Sequence, residues 1–154
     1  MIQDYFFLAE KIREERKYFD FSVEEILRDL DDNHGKAEYE CEQELTGHDY
    51  TIPLRLNIRC RGLENSWTIA LKLHCIRIDG IDWEARYKDQ DNQSMSGWHR
   101  HLYDGKSKSA DNLKASVEGF DDIFNKQQFL LRAFKLMKIL LNAVDYGPTE
   151  LPYP

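Results

Sequence analysis

From residue 36 to residue 87 apolar and polar residues alternate in four successive runs, and no other feature restricts the fold as much. A strand with one buried face reads this way because successive side chains point to opposite sides of a sheet. Lys36 to Leu45 sets Ala37, Tyr39, Cys41, Gln43 and Leu45 against Glu38, Glu40, Glu42 and Glu44. Ile52 to Arg61 sets Leu54, Leu56, Ile58 and Cys60 against Arg55, Asn57, Arg59 and Arg61. Trp67 to Cys75 sets Trp67, Ile69, Leu71, Leu73 and Cys75 against Thr68, Ala70, Lys72 and His74. Ile81, Trp83, Ala85 and Tyr87 continue the pattern. Turn residues at Thr46–Tyr50, Gly62–Ser66 and Asp79–Gly80 join these runs as hairpins, and a three-residue loop or a bulge, which Gly80 permits, keeps the faces in phase at the third. After the polar loop Asp89 to Gly97, Trp98 to Tyr103 makes a fifth strand.

Helical spacing flanks the strands. Tyr5, Leu8, Ala9 and Ile12 predict a first helix over 4–18, capped by Asp4. Ser22 and Glu25 form a capping box for a second, with Val23, Ile26, Leu27 and Leu30 as its apolar side. Ser109 caps a short helix through Ala115, and a long helix is expected over 120–143, with Ile123, Leu130, Phe134, Met137 and Leu141 on one face. We therefore expect a single α+β domain over 1–154: an antiparallel meander of about five strands, two N-terminal helices and a long C-terminal helix packed on it.

The 154 residues are 42% hydrophobic and 32% charged, enough for one core with a polar surface. A net charge of -7 argues against a general nucleic-acid coat protein, whose affinity rests on neutralising phosphates, but leaves room for a local basic site. Met1 to Tyr5 lacks the basic start of a signal peptide, and no run approaches the length of a membrane span, so a cytoplasmic protein is expected. Cys41, Cys60 and Cys75 form no C-x-x-C pair and fall on the apolar sides of their strands, where a thiol stays protonated.

Two surfaces could carry chemistry. Arg55, Arg59 and Arg61 share a strand face and suit phosphate binding, yet a hairpin turning near His48 sets Glu42 opposite Arg55 and Glu38 opposite Arg59, an ordinary charge ladder. The sharper feature is Trp98-His99-Arg100-His101-Leu102-Tyr103. On a strand His99 and His101 share a face, with Tyr103 next in line, while Trp98 and Leu102 turn to the core. Two adjacent imidazoles serve as acid and base, or as two ligands of a metal, although no regular third-ligand spacing accompanies them and no cofactor is expected. In the register above, His74 neighbours Arg55 and Arg86. Histidines beside cations suit phosphodiester cleavage: a base for the attacking hydroxyl, an acid for the leaving oxygen, and positive charge for the phosphorus centre. A pair of plain surface histidines is the simplest alternative.

The segment Trp83-Glu84-Ala85-Arg86-Tyr87, its polar loop and Trp98-His99-Arg100-His101 resembles the core of TumE-like toxins of prokaryotic toxin–antitoxin systems, over about a third of the chain. The resemblance implies a toxin acting on RNA and held by an antitoxin, with Arg86, Tyr87, His99 and His101 carried over. This chain departs from that pattern in having no histidine within Asp89–Gly97 and in its added N-terminal helices. The expected function is thus a metal-independent ribonuclease using His99 and His101, assisted by Arg86 and His74, with Arg55, Tyr87 and Tyr103 contacting substrate. A protein-interaction domain without catalysis and a metal-binding protein are the alternatives. The partners expected are an antitoxin or other protein and an RNA substrate, with no membrane and with self-association open.

Overall fold

A computed structural model describes residues 2–45, 47, 51–63, 66–105 and 113–141. Among them, six strands form one antiparallel meander: β2 (Lys36–Glu44), β3 (Thr51–Arg59), β4 (Thr68–Leu73), β5 (Ile76–Lys88), β6 (Ser94–Leu102) and β7 (Leu113–Ser116), hydrogen-bonded in that order. Three helices, α1 (Ile2–Glu14), α2 (Val23–Asp32) and α3 (Lys126–Leu136), share one core with the sheet. Ala9 and Ile12 of α1, Ile26 and Leu30 of α2, and Phe129 and Phe134 of α3 meet Leu54, Leu56, Ile69, Leu71 and Ile81, all fully or nearly fully buried. The apolar side of the alternation is this helix-covered side. Among the described residues, no helix is long and apolar enough to cross a membrane.

The Ser22 half of the expected capping box forms in α2, where Ser22 Oγ accepts from the Glu25 N–H at 3.0 Å. Several expectations are corrected. The first helix stops at Glu14, and Lys17–Tyr18 form a short strand, β1, paired in parallel with β8 (Ile139–Leu140). The long C-terminal helix shrinks to α3. Asn125 starts it by accepting from the Gln128 N–H at 2.9 Å, and Lys138, at φ 58°, turns the chain out of helix into β8. The short helix predicted to end at Ala115 is instead strand β7 over its last residues, because Arg100 and His101 of β6 pair with Ala115 and Lys114. Its start, Ser109 to Asn112, lies outside the described residues, as does His48.

The third turn is also corrected. Asp79–Gly80 lies inside β5, and the chain reverses at His74–Cys75, with Leu73 paired to Ile76 and His74 at φ 56°. Cys75 is consequently exposed, whereas Cys60 is buried and Cys41 half-buried on the apolar side. Burial pushes the Cys60 thiol up to about 12, which keeps it protonated at neutral pH. A bulge does keep the faces in phase, but at Ile78, opposite the Leu71–Lys72 step. The β2–β3 register is two residues from the expected one: Arg55 faces Glu40, and Arg59 faces Lys36. The ladder survives in altered form, since Arg55 reaches both Glu40 at 2.7 Å and Glu38 at 3.1 Å.

Lys17 closes the C-terminal end of α1. It is fully buried, and its Nζ donates to the carbonyls of Ile12, Arg13 and Glu15 at 2.8, 3.2 and 2.8 Å. Burial, the largest influence, lowers its pKa from 10.5 to about 8. Between those values the unfolded chain holds a proton that the folded chain has released, so stability rises with pH across that window. Urea unfolding at pH 8 and pH 10 should show the rise in the wild type and a flatter response in Lys17→Met. An equal rise in both would show that Lys17 is not its source.

Candidate functional site

The side of the sheet away from the helices is open and concave. Across the strands its residues stand in rows set by register. One row runs Glu40, Arg55, Lys72, Arg77. The next runs Glu38, Asn57, Ala70, Gly80, His101, Lys114. The third runs Lys36, Arg59, Thr68, Asp82, His99, Ser116. The middle row is low at Ala70 and Gly80, and cations stand on both sides of it. The hollow encloses about 860 Å3, lined in part by Lys36, Arg59, Lys72, Arg77 and Asp82.

His99 and His101 do share a face, but they are buried within the protein, 0% and 4% exposed. Their Nε2 atoms lie 2.9 Å apart. Both turn to Asp82 Oδ1, at 2.6 Å from His99 and 2.9 Å from His101. Glu84 Oε1 lies 4.0 Å from His99 Nε2, and Lys114 Nζ holds the two Glu84 oxygens at 3.1 and 3.0 Å. The register brings these groups together: Asp82 is opposite His99, while Glu84 faces Gly97 and His101 faces Gly80. A side chain opposite glycine has room to lean toward its diagonal neighbour. Gly97, at φ 103°, also occupies backbone territory that other residues adopt only under strain.

Electrostatics follow from burial and contact. Burial lowers the His101 pKa, opposed by its hydrogen bond with Asp82 and reinforced by the Arg77 charge. For Asp82, burial acts to raise the pKa, but the bonds with His101 and His99 and the Arg77 charge outweigh it and hold the carboxyl below the ordinary range. Arg77 Nη1 is 3.5 Å from Asp82 Oδ2, and its Nη2 donates to the Ile69 carbonyl at 3.2 Å. The Arg77 side chain passes directly over Gly80: a Cβ there would lie 2.5 Å from Arg77 Nη2.

The other expected site residues separate into two groups. Tyr87 joins the cluster, its ring centroid 4.3 Å from that of His99. It does so because β5 bulges at Ala85–Arg86, between the Glu84–Gly97 and Tyr87–Met95 pairs. Without the extra residue, Arg86 would stand on the histidine face; with it, Arg86 is exposed and Tyr87 takes that place. His74 is exposed at the β4–β5 turn, away from His99 and His101. Tyr103 is 3% exposed in the core, its ring 6.5 Å from Phe6 of α1. Arg55 lies on the open face, engaged with Glu38 and Glu40.

Asp82, Glu84, Arg77 and Lys114 are the site residues that sequence reasoning missed. Asp82 and Glu84 were visible as a D-x-E pair on the polar side of a strand whose apolar side was read correctly as far as Trp83, before the bulge. Arg77 was hidden by placing the turn two residues beyond it. Compared with protein-family models, curated proteins and solved structures, the chain matches none.

Proposed function

We propose that this chain binds RNA on the open face of its sheet and cleaves the phosphodiester at the histidine end. One observation carries the proposal: Lys36, Arg59 and Lys72 stand together on the hollow with no carboxylate at ion-pair distance among the described residues. Lys36 and Arg59 are direct cross-strand neighbours, as are Arg55 and Lys72, and Lys72 and Arg77. Like charges placed opposite one another cost stability, so a polyanion that neutralises them gains what the free sheet lacks. The overall charge of -7 is compatible with this, because the cations are gathered on one face.

The chemistry would fall at Asp82, His99 and His101, which adjoin that face through Asp82. The carboxylate and imidazoles would activate the attacking oxygen and protonate the leaving one, and Arg77 would stand beside the developing charge. The resemblance to TumE-like toxins points to the same substrate class through His99, His101 and Tyr87.

Fluorescence anisotropy with a labelled single-stranded RNA tests the binding. We expect affinity to fall steeply with salt, and Arg59→Ala with Lys72→Ala together to reduce the slope of log K against log salt by about 1–2. Expression of the chain alone should arrest growth, and His101→Ala should relieve it. Salt-insensitive or absent binding, with no cleavage of the RNA, would refute the proposal.

A further inference from the structure

Asp82, Glu84, His99 and His101 each offer one ligand atom, and the four atoms lie within 4.8 Å of one another. We propose that they bind a divalent first-row transition-metal ion in an N2O2 site. The inference goes beyond the proposed function and does not depend on it.

The hydrogen-bonding capacity of the cluster is its foundation. His99 Nδ1 lies 3.3 Å from the Gly97 carbonyl oxygen. A carbonyl only accepts, so Nδ1 carries a ring hydrogen, and a ring without a second hydrogen presents a lone pair at Nε2. That lone pair faces Asp82 Oδ1, another acceptor, at 2.6 Å. Two acceptors so close repel unless a positive centre lies between them. His101 Nε2 converges on the same oxygen and on the same nitrogen, and its buried Nδ1 has no hydrogen-bond partner among the described residues. Hydrogens on the two Nε2 atoms can bridge each nitrogen to Asp82 Oδ1 separately. A metal ion satisfies both nitrogens and the oxygen together.

The geometry matches the chemistry. Bonds of about 2.0–2.1 Å at tetrahedral angles set ligand atoms about 3.3 Å apart. The distances here, from 2.6 Å to at most 4.8 Å, bracket that value, so side-chain shifts of about an ångström would admit the ion. Two imidazoles with carboxylates favour zinc or another first-row ion over calcium or magnesium, which prefer oxygen throughout. The surroundings act as an outer shell: Gly97 orients His99, Arg77 holds the second oxygen of Asp82, Lys114 shares Glu84, and Tyr87 covers the His99 ring. The histidines are sealed, while the Asp82 and Glu84 side chains are 20% and 35% exposed. An ion would therefore be reached from the carboxylate side, which is the side of the hollow.

The untagged full chain, stripped with a chelator, is titrated with Zn2+ by calorimetry and with Co2+ by visible absorption. We expect one ion per chain and the intense Co2+ bands of a four-coordinate site. His101→Gln and Asp82→Asn should each weaken Zn2+ binding at least ~100-fold. Glu84→Gln, at a partly exposed position, should weaken it ~10-fold or more while the circular dichroism spectrum and unfolding curve stay those of the wild type. A folded wild-type chain that takes up no Zn2+ or Co2+ overturns the inference, as does Glu84→Gln and His101→Gln affinity within threefold of wild type. RNA binding by a chain that takes up no ion would sink the metal site and leave the proposed function standing; stoichiometric metal without RNA binding would do the reverse.

Discussion

Arg100→Ala should lower the free energy of unfolding by about 3–5 kcal/mol, the usual cost of removing one member of a buried ion pair. Arg100 points to the helix side of β6, the opposite side from His99 and His101. Its Nε and Nη2 donate to the two Asp79 carboxylate oxygens, both at 2.8 Å. Asp79 is 0% exposed, and its only other hydrogen bond among the described residues comes from the Gly80 N–H at 2.8 Å. Truncating Arg100 strands that carboxylate in the core beside Ile81 and Leu71. Replacing both residues with apolar ones of similar size should recover part of the loss, because no carboxylate is then stranded, although Lys17 and Arg13 lose the favourable charge of Asp79. Urea denaturation of Arg100→Ala, Asp79→Ala and the double variant measures this. A loss below about 1 kcal/mol in Arg100→Ala would mean that the pair is solvated and structurally minor.

Gly80→Ala should be the most damaging single-methyl change on the open face. The added Cβ would stand 2.5 Å from the Ile69 carbonyl oxygen on the neighbouring strand. The Arg77 contact could be relieved by moving a flexible side chain, but the carbonyl belongs to the β4–β5 ladder and cannot move without breaking it. We expect a loss near the upper end of the ~1–3 kcal/mol typical of overpacking, with displacement of Arg77 from Asp82 as its local signature. Denaturation reads the first effect, and the Arg77 side-chain resonances read the second. A Gly80→Ala protein as stable as the wild type would mean that β4 and β5 stand further apart than the Ile69 contact implies.

The sheet was legible because alternation is a property of single strands and survives mistakes in pairing. Leu54, Leu56, Ile58 and Ile69 fall on the helix side whatever their partners. Register was not legible, since it depends on how each hairpin turns: moving one turn from His74–Cys75 to Asp79–Gly80 sends His74 onto the polar face and hides Arg77. The candidate site was half legible. The spacing of His99 and His101 places them on one side of any strand, but Tyr87 covers the His99 ring, and it reaches that ring only through the bulge at Ala85–Arg86. Bulges leave no reliable mark in residue type, so Arg86 and Tyr87 exchanged places. The C-terminal helix was overestimated for a related reason. Met137, Leu140 and Leu141 suit a helical face, yet Ile139 and Leu140 gain a strand partner in Lys17 and Tyr18 that no local pattern reveals.

That distant partnership bears on the order in which the chain acquires its structure. The Lys17 N–H donates to the Lys138 carbonyl at 2.8 Å, the Phe19 N–H to the Leu140 carbonyl at 2.9 Å, and Lys138 Nζ reaches the Glu14 carbonyl across 124 residues of sequence. Every hairpin of the meander is local and can close as soon as its own residues exist. The end of α1 cannot be secured until residue 140 has been made. A chain growing on a ribosome therefore presents a sheet whose first helix is still waiting for its clasp, with Ile12 and Phe19 lacking their final cover. That interval is when a chaperone, a protease or a second nascent copy would find this protein most open.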